Sequence, residues 1–175
     1  MKESNKRMSF LHKVAKFTKN KKDLKRVYIL QVRSKLEQSA VLWHSGLTKK
    51  CSDKLERVQK SALKVILGTE YVNYAHALDV LKLQSLEERR KYLCLKFAKK
   101  SLKVEKLKSM FPKKQNLHVM PKRYNQKFLV KDAWTERHKM SAIPFMQRLL
   151  NNEDRQKKDI LRQVEKFVPV NNGFL

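Results

Sequence analysis

Apolar residues recur every three or four positions along most of the chain, a pattern typical of amphipathic helices. Between Leu24 and His44 one broad face carries Leu24, Tyr28, Val32, Leu36, Ala40 and Trp43. Ser45-Gly46 interrupts the pattern, and Thr48 is placed to cap a second helix that runs to Leu67. The apolar stripe of this second helix contains Cys51, Leu55, Val58, Ala62, Val65 and Ile66. Gly68 is expected to end it as a left-handed cap.

Shorter helices are predicted on either side of this pair. Within Met1–Lys22 a short apolar run predicts one helix, formed by Phe10, Leu11, Val14 and Phe17. A second short helix is predicted over Tyr74–Leu81. Ser85 and Glu88 then have the spacing of a capping box, which predicts a helix that continues to about Val104. The apolar side of that helix is expected to hold Leu86, Leu93, Cys94, Phe97 and Ala98.

The periodicity fades between Pro112 and about Ala142, and we expect an irregular basic connector there. One short strand pair is possible within it, Leu117–Met120 with Phe128–Val130. Pro144 is expected at the first position of a helix, and Glu153–Phe167 is expected to form a separate last helix. With only three Gly and four Pro, the sequence favours an all-α fold in three segments, 1–70, 71–111 and 112–175.

Charge points to a polyanionic partner. Lys and Arg number 42 against 16 Asp and Glu, a formal net charge of +26. Such an excess attracts nucleic acid, because neutralising phosphates releases condensed counterions. Although an anionic membrane surface would also attract it, no apolar run is long enough to span a bilayer, and the polar N-terminus has no secretory signal. Both cysteines, Cys51 and Cys94, are expected to be reduced and buried.

Two helices present rows of cations with the spacing of a single helical face. The helix that begins after Thr48 carries Lys50, Arg57, Lys60 and Lys64, and the helix after Ser85 carries Arg89, Lys96, Lys99 and Lys103, with Tyr92 among them. Such rows can follow a phosphate backbone, and the aromatic ring can stack on a base. For either helix alone, a merely solvated face is an equally good explanation; the net charge favours phosphate contact. Trp43 is expected in the core. Trp134, near Arg137, is expected either to stack on RNA or to dock on the helices.

Several blocks of the sequence resemble one protein family, in the same order. VRSKLEQSAVLWHSGLTKKCSDKLERVQKSALKVILG, from Val32 to Gly68, is similar to the segment downstream of the catalytic palm in reverse transcriptases of non-LTR (LINE-type) retrotransposons, especially jockey-like and chicken-repeat-like elements. The runs Tyr74–Lys100 and Thr135–Asn151 continue the resemblance, which covers roughly three-quarters of the chain. Gln38 departs from the family, which usually has Tyr there.

The resemblance implies a thumb-like helical bundle that grips RNA or an RNA–DNA duplex, supports target-primed reverse transcription beside the catalytic palm, and works in the nucleus or cytoplasm. A polymerase also needs paired aspartates for two metal ions. No Asp-Asp occurs in this sequence, and Glu87-Glu88 and Glu153-Asp154 are expected to be helix-start residues. No catalytic residue, metal site or cofactor is therefore expected. The alternatives are a helical module that binds another protein, an inert truncated copy of an element, or a polymerase whose aspartates lie upstream.

Overall fold

The computed structural model describes residues 2–113, 127–130 and 134–167, with side chains up to Lys157. This part of the chain is almost entirely helical and contains no sheet, so the predicted all-α class is confirmed. Its residues fall into two compact units, Met1–Cys94 and Leu95–Leu175, and the division lies inside one helix. The predicted three segments 1–70, 71–111 and 112–175 stay a prediction. Among the described helices, none is long and apolar enough to cross a lipid bilayer.

The first unit is a helical bundle. Its elements, in chain order, are α1 (Lys2–Phe17), α2 (Lys21–Val27), a π-helical turn (Tyr28–Arg33), α3 (Ser34–Glu37), α4 (Ala40–Trp43), a 3-10 turn (His44–Gly46), α5 (Lys49–Leu67), a second 3-10 turn (Gly68–Glu70), α6 (Tyr74–Leu81) and the first part of α7 (Leu86–Ser101). Helix α5 packs against α1, α2 and α6. The bundle therefore forms around α5.

The core of this bundle follows the predicted apolar faces closely. Leu24, Tyr28, Val32, Leu36 and Ala40 are all buried, as the sequence predicted. Their partners on the other helices are Met8, Leu11, Val58, Ala62, Leu63, Ile66, Leu67, Ala77, Leu81 and Leu86. Removing such side chains from water supplies the main driving force for folding, about 25 cal/mol per Å² of apolar surface.

The short helix predicted from Phe10, Leu11, Val14 and Phe17 is present as α1, and one cysteine departs from its predicted place. Helix α1 buries Met8 and Leu11, while Phe10 is about half exposed and Phe17 is 92% exposed. Cys51 is exposed and Cys94 is buried. The prediction for Cys51 was wrong because it lies in the first turn of α5, before the buried stripe begins.

The helix predicted from Leu24 to His44 is interrupted. It contains the π-helical turn and then breaks at Ser39, whose φ of 53° and ψ of 24° are left-handed. A residue other than glycine in this region costs roughly 1–2 kcal/mol. The chain then resumes as α4, and the side chain of Trp43 donates from Nε1 to the Gln38 carbonyl oxygen at 2.9 Å. Trp43 thus closes the break and is only half-buried, rather than fully in the core.

The predicted helix ends are largely confirmed. Thr48 Oγ1 accepts from the Cys51 N–H at 3.3 Å, and Ser85 and Glu88 form both hydrogen bonds of the capping box. Gly68 has a positive φ of 54°, but its ψ of −121° is not that of a left-handed helical cap. Only glycine adopts this conformation readily. Helix α7 ends at Ser101, three residues before the predicted end.

A single carboxylate joins three helices of the first unit. Glu56 of α5 accepts the Tyr74 hydroxyl hydrogen at 2.6 Å through Oε2. Its Oε1 accepts the Glu87 N–H at 2.8 Å, and Oε2 lies 3.4 Å from the Leu86 N. These are free N–H groups of the first turn of α7, where negative charge is favourable. Burial and this hydrogen bond both raise the pKa of Tyr74. Glu56 therefore fixes the start of α7 against α5 and α6.

The second unit contains the end of α7, α8 (Glu105–Lys108), α9 (Glu136–Lys139) and α10 (Ala142–Phe167). Phe111, Phe128, Met146 and Leu150 are buried there. Asn151 Oδ1 accepts the Phe128 N–H at 2.9 Å, and its Nδ2 donates to the Phe128 carbonyl oxygen at 3.0 Å. Phe128 also forms a single antiparallel bridge with Lys113. Of the predicted strand pair, Leu117–Met120 lies outside the described residues.

Two predictions for the C-terminal region were wrong. Pro144 is the third residue of α10 rather than the first, which is still compatible with its missing N–H. Glu153–Phe167 is not a separate helix, because α10 runs without a break from Ala142 to Phe167. Glu153 and Asp154 consequently lie in the middle of a helix and do not start one. Glu87 and Glu88 do lie in the first turn of α7, as predicted.

Replacing Glu56 with alanine is expected to lower the free energy of unfolding by about 1–3 kcal/mol, since it leaves N–H groups of α7 and the Tyr74 hydroxyl without their acceptor. Urea titration followed by circular dichroism measures this change. Asp53→Ala is the matched control, because Asp53 is an exposed carboxylate of the same helix and should change the value by less than about 0.5 kcal/mol. Equal losses in both variants would contradict the structural role of Glu56.

Candidate nucleic-acid interface

The outer surface of α5 carries a straight row of cations. Lys50, Arg57 and Lys64 are spaced seven residues apart, and all three are exposed. Lys54 and Ser61 fill the intervening positions, so neighbours along the row are three or four residues apart, about 5–6 Å between Cβ atoms. We name Lys50, Lys54, Arg57, Ser61 and Lys64 the α5 row.

Sequence reasoning selected three members of the α5 row and missed Lys54. The spacing from Lys50 to Lys54 and on to Arg57 was the signal that could have found it. Lys60, which the sequence also predicted, is exposed beside this row and lies with its Nζ 5.1 Å from the Tyr74 ring centroid. The Nζ of Lys64 lies 5.4 Å from the Tyr71 ring centroid. These rings hold the two ammonium groups by cation–π attraction without neutralising them.

The charges of the α5 row are not matched by acids. Among the residues with described side chains, no carboxylate lies within 4.0 Å of the charged nitrogens of Lys50, Lys54, Arg57 or Lys64. Asp53 lies one helical turn from Lys50 and Arg57, but none of the four cations is held in an ion pair with a described residue, so their charged groups are available to an incoming anion. The α5 row is therefore suited to phosphate contact.

The predicted cations of α7 are engaged differently. Arg89 is only partly exposed, and its Nε lies 3.3 Å from Glu37 Oε1, which Arg33 also approaches at 3.3 Å. Its guanidinium lies 5.4 Å from the centroid of the Tyr92 ring, which is 46% exposed. Arg89 thus ties α7 to α3, and its charge is already shared with a carboxylate. Its assignment to phosphate contact stays a prediction.

The predicted cations in the later part of α7 and just after it lie in the second unit. Lys96, Lys99 and Lys103 are exposed, but Lys103 lies just beyond the helix end. Lys99 Nζ donates to Glu153 Oε1 at 2.6 Å, and Lys157 approaches the same oxygen at 3.4 Å. The hydrogen bond from Lys99 is the main cause that lowers the pKa of Glu153. Lys99 is therefore less available to a phosphate than the members of the α5 row.

The remaining predicted contacts lie near the start of α9. Trp134 is fully exposed, so the alternative that it docks on the helical core was wrong. Stacking of Trp134 on a base stays a prediction. Arg137 is exposed on α9, three residues further along the chain.

One cation escaped the sequence prediction because it is buried. Arg90 is 1% exposed and lies on the inner side of α7, four residues from both Leu86 and Cys94. Its Nη2 donates to Ser52 Oγ at 2.8 Å, its Nε donates to His44 Nδ1 at 3.3 Å, and its guanidinium lies 5.9 Å from the Trp43 ring centroid. Arg90 Nη1 is buried and has no hydrogen-bond partner among the described residues. Arg90 joins α7 to α5 and to the chain before it, so it is structural rather than a phosphate contact.

His44 has to be neutral in this arrangement. Because its Nδ1 accepts a hydrogen bond from a guanidinium, protonation there would break that bond and place two cations side by side. Burial is the main cause that lowers the pKa of His44, and the charges of Arg90 and Lys91 lower it further, while Glu87 opposes them. Burial likewise lowers the pKa of Arg90.

Two observations bear on metal binding and on the chemistry of the buried thiol. No set of three or more His, Cys, Asp or Glu side chains among the described residues could hold a metal ion. Burial raises the pKa of the Cys94 thiol to about 11, which keeps it protonated and unreactive.

Comparisons of the chain with protein-family models, with curated proteins and with solved structures found no match.

Replacing His44 is expected to change how stability depends on pH. The folded-state pKa of His44 lies below its ordinary value of about 6.5, so the unfolded chain takes up the proton first. The stability from neutral His44 is complete above about pH 6.5 and decreases as the pH falls below it. In His44→Gln, whose amide oxygen can still accept from Arg90, this decrease should be smaller.

Urea titrations at several pH values between 7.5 and 5 measure the difference. His12→Gln is the control, because His12 is an exposed histidine of the same unit. If both variants follow the pH dependence of the unmodified protein, protonation of His44 beside Arg90 does not destabilise the fold.

Proposed function

We propose that this chain is a non-catalytic, thumb-like part of a non-LTR retrotransposon reverse transcriptase that binds RNA or an RNA–DNA duplex. Binding occurs through sequence-independent contacts to phosphates. The observation that supports this most strongly is the α5 row, in which four exposed cations share one side of a helix and form no ion pair with the described side chains.

Phosphate contact explains why so much positive charge is concentrated in a folded helical chain. Each lysine or arginine that neutralises a phosphate releases condensed counterions, and the gain in their entropy drives binding. Because α5 is packed against three other helices, its side chains start from a fixed backbone, and less conformational entropy is lost on binding. Lys60 is exposed beside the α5 row. In the second unit, further proposed contacts are also exposed, namely Lys96, Lys103, Trp134 and Arg137.

The absence of Asp-Asp from the sequence supports a role without catalysis. In the family that the sequence resembles, metal-dependent nucleotide transfer takes place on the palm. The chain proposed here would hold template and primer for that palm during target-primed reverse transcription, in the nucleus or the cytoplasm. The palm is accordingly the proposed protein partner.

The α5 row predicts a steep and specific dependence of binding on salt. Fluorescence anisotropy with a labelled RNA–DNA duplex, titrated across a series of salt concentrations, gives the slope of log affinity against log salt. In the triple variant Lys50→Gln, Lys54→Gln and Arg57→Gln, affinity should fall for every duplex sequence, and the slope should decrease by about one for each phosphate contact that is lost.

A second triple variant with the same change in net charge is the control. Lys21, Lys91 and Lys108 each pair with a carboxylate at 2.5 Å, 2.7 Å and 3.1 Å respectively, and their replacement by glutamine should reduce the slope much less. Equal slopes for the two triple variants would mean that total charge alone attracts the nucleic acid. Binding that does not change with salt would rule out phosphate contact.

The rival function, a module that binds another protein, is separated by a further measurement. Size-exclusion chromatography after nuclease treatment should give the chain alone, with no nucleic acid retained, and the chain should bind added duplex. A stable protein complex that persists after nuclease treatment, combined with no affinity for added duplex, would favour the rival.

A further inference from the structure

A groove between α1 and α5 lies directly beside the α5 row. Its volume is about 630 Å³, within the range of about 300–1,000 Å³ found for small-ligand pockets. Asn5, Met8, Ser9 and His12 of α1 line one side, and Lys54, Arg57, Val58 and Ser61 of α5 line the other. Both helices belong to the first unit.

The groove has an apolar floor and polar walls. Met8 and Val58 are each 8% exposed, so they form part of the hydrophobic core and show only a small apolar surface to the groove. The walls provide the amide of Asn5, the hydroxyls of Ser9 and Ser61, and the charges of Lys54 and Arg57. A flat heterocycle can cover the apolar floor of the groove while its edge reaches the hydroxyl and amide groups. This arrangement is typical of sites that bind nucleobases.

His12 adds an acceptor to the same wall. Its Nδ1 lies 2.8 Å from the Met8 carbonyl oxygen, which can only accept, so Nδ1 carries the hydrogen. In the neutral ring Nε2 is then an acceptor. The imidazole is also one of the rings on which an unstacked base can lie.

We propose that this groove holds one unstacked nucleotide of a single-stranded RNA or DNA segment. The base lies over Met8 and Val58, and Lys54 and Arg57 bind the phosphates on either side of it. A base inside a duplex is paired and stacked and cannot enter the groove, so the groove favours a single strand. Phosphate contacts along the α5 row do not distinguish a single strand from a duplex. The inference rests on the proposed function, and it adds the form of nucleic acid that is recognised.

The test fills the groove without changing any charge. Asn5→Phe and Ser9→Phe each place a ring in the groove from the α1 wall, and both residues are exposed, so at least one variant should keep the fold. Ser34→Phe is the matched control, because Ser34 is another exposed helical serine. Its hydroxyl donates to the carbonyl oxygen four residues earlier, as the Ser9 hydroxyl does.

Anisotropy titrations are made with a labelled ten-nucleotide oligouridylate and with an RNA–DNA duplex of the same length. We expect the groove-filling variants to bind the single strand about tenfold more weakly, since one base contact is lost, while duplex affinity and the salt slope stay unchanged. Ser34→Phe should match the unmodified protein with both ligands. Uridine monophosphate should also compete for the single strand better than inorganic phosphate at equal charge.

Failure of this inference differs from failure of the proposed function. If the unmodified protein binds both ligands and the groove-filling variants bind the single strand equally well, the groove is not a nucleotide site and phosphate binding by the α5 row still holds. If groove filling weakens single-strand and duplex binding equally, the groove does not select unstacked bases and the inference is wrong. If the unmodified protein binds neither ligand, both proposals fail.

Discussion

In a chain with 42 cationic and 16 acidic side chains, a few carboxylates join the helices of the first unit by accepting hydrogen bonds and pairing with cations. Glu56 is the most important of them, because it receives the Tyr74 hydroxyl and N–H groups at the start of α7. Glu37 forms ion pairs with both Arg33 and Arg89 and so joins α3 to α7. With acids committed to joining helices, the outer surface of α5 keeps its positive charge. The same distribution of charge that joins the helices is the basis of the proposed binding to polyanions.

Buried polar groups give this bundle a defined arrangement of its helices. The Tyr28 hydroxyl donates to Gln59 Oε1 at 3.0 Å, and Gln59 Nε2 donates to the Gln84 carbonyl oxygen at 2.9 Å, with both side chains fully buried. A buried polar group without its partner costs about 1–3 kcal/mol, so alternative packings of the same apolar faces are disfavoured. Arg90 has the same effect between α7, Ser52 and His44. Apolar stripes bring the helices together, and these bonds select how they meet.

Two kinds of cation look alike in the sequence but differ in whether an acid or the core engages them. Arg89, Arg90 and Lys91 are consecutive, yet Arg89 bridges to Glu37, Arg90 is enclosed, and Lys91 pairs with Glu87 at 2.7 Å. On α5, by contrast, Lys50, Lys54 and Arg57 are exposed, and Lys54 and Arg57 line a groove. Affinity for phosphate depends on which cations lack a counter-charge, and the number of cations alone does not measure it.

The sequence alone determined the helical class, most of the buried stripes, the capping residues Thr48 and Ser85, and the exposure of the α5 cations. These properties follow from interactions within one helix, since an apolar period or a cap involves residues only three or four positions apart. Tertiary structure alone decided the break at Ser39, the continuity of α10, the burial of Arg90, and the pairing of Arg89 and Lys99 with distant acids. It also formed the groove between α1 and α5. The burial of Arg90, the pairing of Arg89 and Lys99, and the groove depend on residues far apart in sequence, so periodicity within a single helix carries no signal for them.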